Sequence, residues 1–139
     1  MDFCSLTQLC CMEYRILDLF MKENSAWEDM ISRQRIEIPL LDTMITNIVN
    51  EKHGLKEDSE KVFSFLKNEM HEQEKDMDDL KMELEKQQNY LVAERKRTIG
   101  DPYSINTLFS QKVLREKIRD VEKSFVELKC NYLNYVATI

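Results

Sequence analysis

Apolar residues recur along most of this 139-residue chain at alternating spacings of four and three positions, which is the spacing of a coiled-coil seam. Two interleaved series of seven-residue steps begin at Leu17 and Phe20. Polar residues such as Asn24 and Gln34 interrupt them, and a polar seam residue can fix the register or the number of partner helices. The predicted oligomer or partner interface consists of Leu17, Phe20, Trp27, Ile31, Ile38, Leu41, Ile45, Ile48, Leu55 and Val62.

A loop over about 99–104 separates the last predicted helix from the rest. Gly100 suits a helix C-cap, Asp101 suits an N-cap, and Pro102 suits the first position of a new helix. Apolar positions equally distant from this loop match on both sides of it, which predicts an antiparallel αα-hairpin over 63–139. The predicted hairpin seam consists of Met70, Met77, Leu80, Leu84, Ile118, Val121, Phe125, Leu128 and Tyr132.

Local signals upstream of the hairpin predict further helix boundaries. Ser25 and Glu28 have the spacing of a capping box, so we expect a helix to begin there. Pro39 lies inside an otherwise continuous pattern, where it would kink a helix or start a new one. The predicted helices are therefore a short one over 3–22, followed by segments 26–37 and 40–98.

These elements predict an all-α, elongated molecule: a long coiled-coil helix with a C-terminal antiparallel αα-hairpin and a short N-terminal helix. Two domains are expected, a helical oligomerisation arm over 1–62 and the hairpin over 63–139. Composition agrees with this fold class, because the chain has only two glycines and two prolines. A sheet protein with a turn every ~8 to 12 residues would need more of these turn residues.

The net charge of −6 is unevenly distributed. Residues 1–56, 57–94 and 95–139 contain 9, 12 and 5 acidic residues against 6, 5 and 9 basic ones. An acidic 57–94 beside a basic 95–139 favours pairing within the hairpin. An acidic total disfavours a main role in nucleic-acid binding, which depends on Lys and Arg neutralising phosphates. The basic run at 95–97 suits the negative end of a helix dipole.

The titratable residues do not form a catalytic, cofactor or metal pattern. His53 and His71 lack the second histidine of an HExxH motif, and the dense carboxylates of 69–79 are expected to lie on a solvated helix face. We therefore predict no catalytic residue, no cofactor site and no metal site. The cysteines at 4, 10, 11 and 130 lack disulfide or zinc spacing, which predicts free thiols in the cytoplasm or nucleus. No apolar run is long enough to span a membrane.

We expect the chain to be a non-catalytic coiled-coil scaffold or adaptor that forms a homodimer or joins a hetero-oligomer. The apolar stripe of the first half is wide, because Leu40 and Met44 extend it, and a stripe of that width usually meets more than one helix. Either a partner covers it, which we favour, or the chain folds back on itself. Such architecture is common in cytoskeletal, kinetochore, centrosome and chromosome-associated assemblies. A membrane-surface or vesicle-tethering module is the alternative, which the acidic charge disfavours.

Overall fold

The fold is all-α in a computed structural model, which describes the backbone of residues 3–51, 57–96 and 105–139 and the side chains of 15–51, 58–96 and 105–139. Within these ranges the chain forms helices α1 (Phe3–Glu51), α2 (Glu57–Arg95) and α3 (Ile105–Thr138) and no strand. The predicted fold class is confirmed at this level. Supercoiling of the helices stays a prediction.

Helix α1 continues through both of the boundaries predicted within it, so the separate helices over 3–22 and 26–37 were wrong. Asn24 and Ser25 do not cap a helix. Instead, the Asn24 side chain is fully buried and forms hydrogen bonds with other helices. A tertiary contact therefore outweighs the local capping signal.

Pro39 lies inside α1 and does not end it. Proline in a helix interior costs about 3 kcal/mol, because it removes one backbone hydrogen bond and crowds the preceding turn. Ile38 and Ile45 are fully buried on the same helix, and burial of each such side chain contributes about 1.5–3 kcal/mol. Their packing can offset the cost of the proline. Its carbonyl oxygen accepts a hydrogen bond from Thr43 Oγ1 at 2.9 Å.

The single helix predicted over 40–98 is divided between α1 and α2. Residues 52–56, including Leu55 of the predicted interface, lie outside the described residues, as does the predicted loop at 99–104. Helices α2 and α3 form the expected antiparallel pair within each compact unit described next.

The chain divides into two compact units, and each contains a portion of all three helices. The first unit comprises Met1–Asp29 and Leu80–Ile118, and the second comprises Met30–Asp79 and Arg119–Ile139. This division differs from the one predicted at residue 62. Each unit is described separately below.

In the first unit, α1 runs antiparallel to α2 and α2 runs antiparallel to α3. Arg95 donates to Asp18 at 3.1 Å and Asn24 donates to Gln88 at 3.3 Å, so numbers rise along α1 as they fall along α2. Contacts of Glu94 with Thr107 and of Glu83 with Lys117 show the same for α2 and α3. The buried apolar residues of this unit are Leu17, Leu80, Leu84, Leu91, Leu114 and Ile118.

The second unit has the same up-down-up arrangement. Arg35 of α1 pairs with Glu74 and Asp78 of α2, while Asp42, further along α1, pairs with Lys67, earlier in α2. On the α3 side, Gln73 donates to the Val121 carbonyl and Tyr135 donates to the Ser59 carbonyl, both at 2.9 Å. The buried apolar residues are Ile31, Ile38, Ile45, Leu66, Met70, Met77, Phe125, Leu128, Tyr132 and Tyr135.

Candidate protein-interaction surfaces

Most of the predicted partner interface lies in the core of the chain itself. Leu17, Ile31, Ile38 and Ile45 are at most 1% exposed, because α2 and α3 both pack on the same stripe of α1. Partly covered positions are Phe20, Trp27, Leu41 and Ile48. Of the ten predicted residues, Val62 is exposed and Leu55 lies outside the described residues. The wide stripe thus meets two helices of its own chain, so its buried part offers no free surface to a partner.

The predicted hairpin seam is brought together between α2 and α3. Eight of its residues are buried, and Val121 is half-buried. Gln87 and Leu114, which are equally distant from the centre of the predicted loop, line one surface depression of the first unit. Leu66 and Tyr135, another predicted pair, line a depression of the second unit.

A layer of polar side chains crosses the core of the first unit. Gln111 Nε2 donates to Asn24 Oδ1 at 2.8 Å, while Gln111 Oε1 accepts from Gln87 Nε2 at 3.3 Å. Asn24 and Gln111 are fully buried. We call this set, with Glu23, Gln88 and Arg115, the polar layer. The sequence identified Asn24 as a polar seam residue, but it did not identify its partners.

An ion pair closes one edge of the polar layer. Arg115 donates to both carboxylate oxygens of Glu23, at 3.0 and 2.7 Å, and Gln111 donates to the same carboxylate at 2.9 Å. The hydrogen bonds from Arg115 to Glu23 raise the pKa of the guanidinium above its ordinary value. The fork geometry of the pair orients α1 relative to α3 within this unit.

Three apolar residues of α1 remain uncovered in the second unit. Ile36, Leu40 and Met44 follow each other at intervals of four, which places them along one side of the helix. Each is more than half exposed. Leu40 and Met44 are residues by which the sequence pattern exceeded the width of a two-stranded seam. The extra width of the apolar stripe in the sequence therefore indicated residues that the other helices leave uncovered.

Helix α3 contributes a second apolar stripe to the same unit. Val126 and Leu133 are one heptad apart and are also more than half exposed. Lys129, which lies between them in sequence, forms an ion pair with Glu37, the neighbour of Ile36. This ion pair shows that the exposed stripes of α1 and α3 lie side by side, at the same height along the unit. We call the surface formed by Ile36, Leu40, Met44, Val126 and Leu133 the α1/α3 face.

A groove lies between α2 and α3 at the other side of the second unit. Val62, Phe65, Leu66 and Tyr135 contribute its apolar surface, and the depression has a volume of about 490 Å³. Burial, and to a lesser degree the charge of Glu60, raises the pKa of the Tyr135 hydroxyl. The hydroxyl donates to the Ser59 carbonyl at 2.9 Å, which holds the ring in place. We call this the α2/α3 groove.

The described residues contain no group of three or more His, Cys, Asp or Glu side chains placed to hold a metal ion. His71 is exposed on α2, as are Glu72, Asp76 and Asp79. His53 lies outside the described residues. None of the helices, over the residues described, is long and apolar enough to cross a membrane. No family model, curated protein or solved structure matches this chain.

Proposed function

We propose that this chain is a non-catalytic helical scaffold that associates with copies of itself and thereby contributes to a multi-subunit assembly. The α1/α3 face is the observation that carries the proposal. Five large apolar side chains, each more than half exposed, lie together on two neighbouring helices of one unit. Contiguous apolar patches with polar surroundings are typical of protein interaction sites.

The energetic reason for association is burial of this face. Full burial of one side chain of this size contributes about 1.5–3 kcal/mol, so partial burial of five can supply several kcal/mol. The charges nearest the middle of the face, Glu37 and Lys129, are already paired with each other. A partner helix can therefore cover the apolar side chains without leaving either of these charges unpaired.

We place this scaffold in the cytoplasm or nucleus, in an assembly of the cytoskeletal, kinetochore, centrosome or chromosome-associated type. The cysteine spacings support a reducing compartment, and Cys130 is a free, exposed thiol on α3. The type of assembly rests on the all-α architecture, because coiled-coil helices recur in such complexes.

Sedimentation equilibrium of the full chain and two single variants tests the proposal. The native chain should show a concentration-dependent mass above that of a 16.6 kDa monomer. Leu40→Glu should raise the dissociation constant by roughly tenfold or more, equivalent to about 1.4 kcal/mol. Met82→Glu is the matched control, because Met82 is also more than half exposed, on α2 of the other unit, and lies outside the α1/α3 face.

Two results would contradict the proposal. One is a native chain that stays monomeric up to roughly 100 µM, which corresponds to an association free energy weaker than about −5.5 kcal/mol. The other is an equal effect of the Leu40 and Met82 substitutions. Flotation with anionic vesicles tests the membrane-surface alternative, which strong, salt-sensitive binding by the monomer would favour.

A further inference from the structure

Two heptad-spaced stripes extend from the α2/α3 groove along α2 and α3, and they are acidic over half of their length. Every stripe residue is exposed except Glu69, which is half-buried. On both helices the spacing alternates between four and three, so each stripe follows one side of its helix. The α2 stripe consists of Asp58, Val62, Phe65, Glu69, Glu72, Asp76 and Asp79. The α3 stripe consists of Asp120, Ser124, Glu127, Asn131, Asn134 and Thr138.

The surface along the two stripes has an apolar half, which is the groove with the depression, followed by an acidic half, and we include both in the α2/α3 groove from here on. Val62 and Phe65 face the Asn131–Asn134 side of α3 in the apolar half. The acidic half contains four carboxylates from α2 and two from α3, and neither stripe includes a lysine or arginine. The ion pairs described above for this unit join α1 to α2 and α1 to α3, and none of the acidic-half residues takes part in them.

Charge of one sign along this groove selects a basic partner. Lys75 and Lys123 are the sequence neighbours of stripe residues Asp76 and Ser124, and their charges reduce the negative potential only in part. Six like charges within about 20 Å repel each other, and a helix that brings opposite charges relieves that repulsion. The apolar half requires the same helix to carry apolar residues at one end.

The α1/α3 face of a second copy meets both requirements if its α3 stripe is followed further along the helix, and we include this continuation in the face from here on. Arg119 and Lys123 precede Val126, Cys130 and Leu133 on α3, at heptad spacing, and all five are exposed. Its α3 stripe is thus basic and then apolar. Glu122 adds one acidic charge beside it, and the exposed Arg33 of α1 adds a basic one.

The lengths of the two surfaces agree as well. Leu133 and Arg119 are separated by fourteen positions, as are Val62 and Asp76. If α3 of one copy runs antiparallel to α2 of another, Leu133 lies over Val62 and Arg119 lies over Asp76. Lys123 then falls at the level of Glu72.

We propose that the α2/α3 groove binds the α1/α3 face of a second copy of this chain. The inference rests on the proposed self-association and names the surface that receives the face. Because two different surfaces meet, the contact is head-to-tail, and it leaves a free face on one copy and a free groove on the other. Such contacts generate rings or open chains instead of closed two-fold dimers.

Charge reversal on each surface, followed by mixing, tests the proposal. The groove variant carries Glu72→Lys and Asp76→Lys, and the face variant carries Arg119→Glu and Lys123→Glu. All four residues are exposed, and circular dichroism should show unchanged helix content. In sedimentation experiments, each variant alone should have its dissociation constant raised at least tenfold. An equimolar mixture should recover association, because the reversed groove now attracts the reversed face.

The matched control carries Glu85→Lys and Asp29→Lys, two exposed acidic residues of the first unit, and has the same net charge as the groove variant. It should associate within twofold of the native chain. Association of the groove variant at native strength, or a mixture that stays monomeric, would overturn the groove assignment alone. A native chain that does not associate would overturn the proposed function together with this inference.

Discussion

Gln111 Nε2 donates a hydrogen bond to Asn24 Oδ1 at 2.8 Å, and neither side chain is exposed to solvent. The bond joins α1 to α3 in the first unit, and Gln87 of α2 donates to the same Gln111 side chain. Replacement of one partner leaves the other buried without its hydrogen bond, which costs more than the bond contributes on its own. The polar layer therefore favours one alignment of the helices of this unit.

The polar layer predicts different results for single and double substitutions. Gln111→Leu should lower the free energy of unfolding by about 1–3 kcal/mol, because Asn24 Oδ1 and Gln87 Nε2 lose their partner. The double variant Asn24→Leu with Gln111→Leu should recover part of this loss. Urea denaturation of the two single variants and the double variant measures the coupling energy. Strictly additive losses would contradict a direct contact.

Two buried tyrosines predict opposite effects of hydroxyl removal. The Tyr132 hydroxyl is buried without a hydrogen-bond partner, so Tyr132→Phe should leave stability unchanged or raise it by up to about 1 kcal/mol. Tyr135→Phe should lower stability by about 0.5–1.5 kcal/mol, because the bond to the Ser59 carbonyl is lost. Urea denaturation at neutral pH separates them, and equal effects would contradict the assigned environments.

Stability should also fall at alkaline pH because of these tyrosines. Burial raises the pKa of Tyr132 and of Tyr135, so the folded state favours the neutral phenol. This contribution is complete below the unfolded pKa, near 10, and is lost as the pH rises from there through the raised folded value. Unfolding free energies measured from pH 8 to 11 should decline less steeply for Tyr132→Phe than for the native chain. Parallel pH profiles would show that Tyr132 ionises without unfolding.

Pro39 predicts a stabilising substitution. Pro39→Ala restores a backbone N–H inside α1 and removes the ring from the preceding turn, so the free energy of unfolding should rise by about 1–3 kcal/mol. Pro39 is exposed, so the change leaves the core unaltered. Thermal and urea denaturation measure the gain. A loss of stability would indicate that the packing of Ile38 and Ile45 depends on the proline.

Heptad spacing predicted the helical class and the facing surfaces of α2 and α3, because burial along a helix is itself periodic. Eight seam residues are buried as expected, from Met70 to Tyr132. The pattern could not show whether a partner or the chain's own helices cover Ile31 and Ile38, because an apolar helix from either source would pack on these residues in the same way. Helices α2 and α3 can cover α1 because the chain turns back between the end of α1 and the start of α2.

The separation of α1 from α2 had a weak sequence signal. Gly54 lies between α1 and α2, and glycine is a common helix-ending residue. Lys52 and Ser59, on either side of Gly54 in the sequence, are polar residues in the series that begins at Leu17, so the apolar pattern is interrupted there. Local signals at Ser25 and Pro39 were stronger in isolation, yet the buried contacts of Asn24 and Ile38 outweigh them. The polar layer was beyond sequence reasoning, because its residues come from three separate helices.

The central claim is that α1 packs against α2 and α3 of the same chain. Its most direct test is zero-length carbodiimide cross-linking of a mixture of ordinary and nitrogen-15-labelled chains that have been unfolded and refolded together. Cross-links of Lys129 with Glu37 and of Lys67 with Asp42 should join peptides of the same isotope composition, since these ion pairs lie within one chain. Mixed-isotope peptides at the frequency of random pairing would show that α1 is covered by a partner, and would contradict the account.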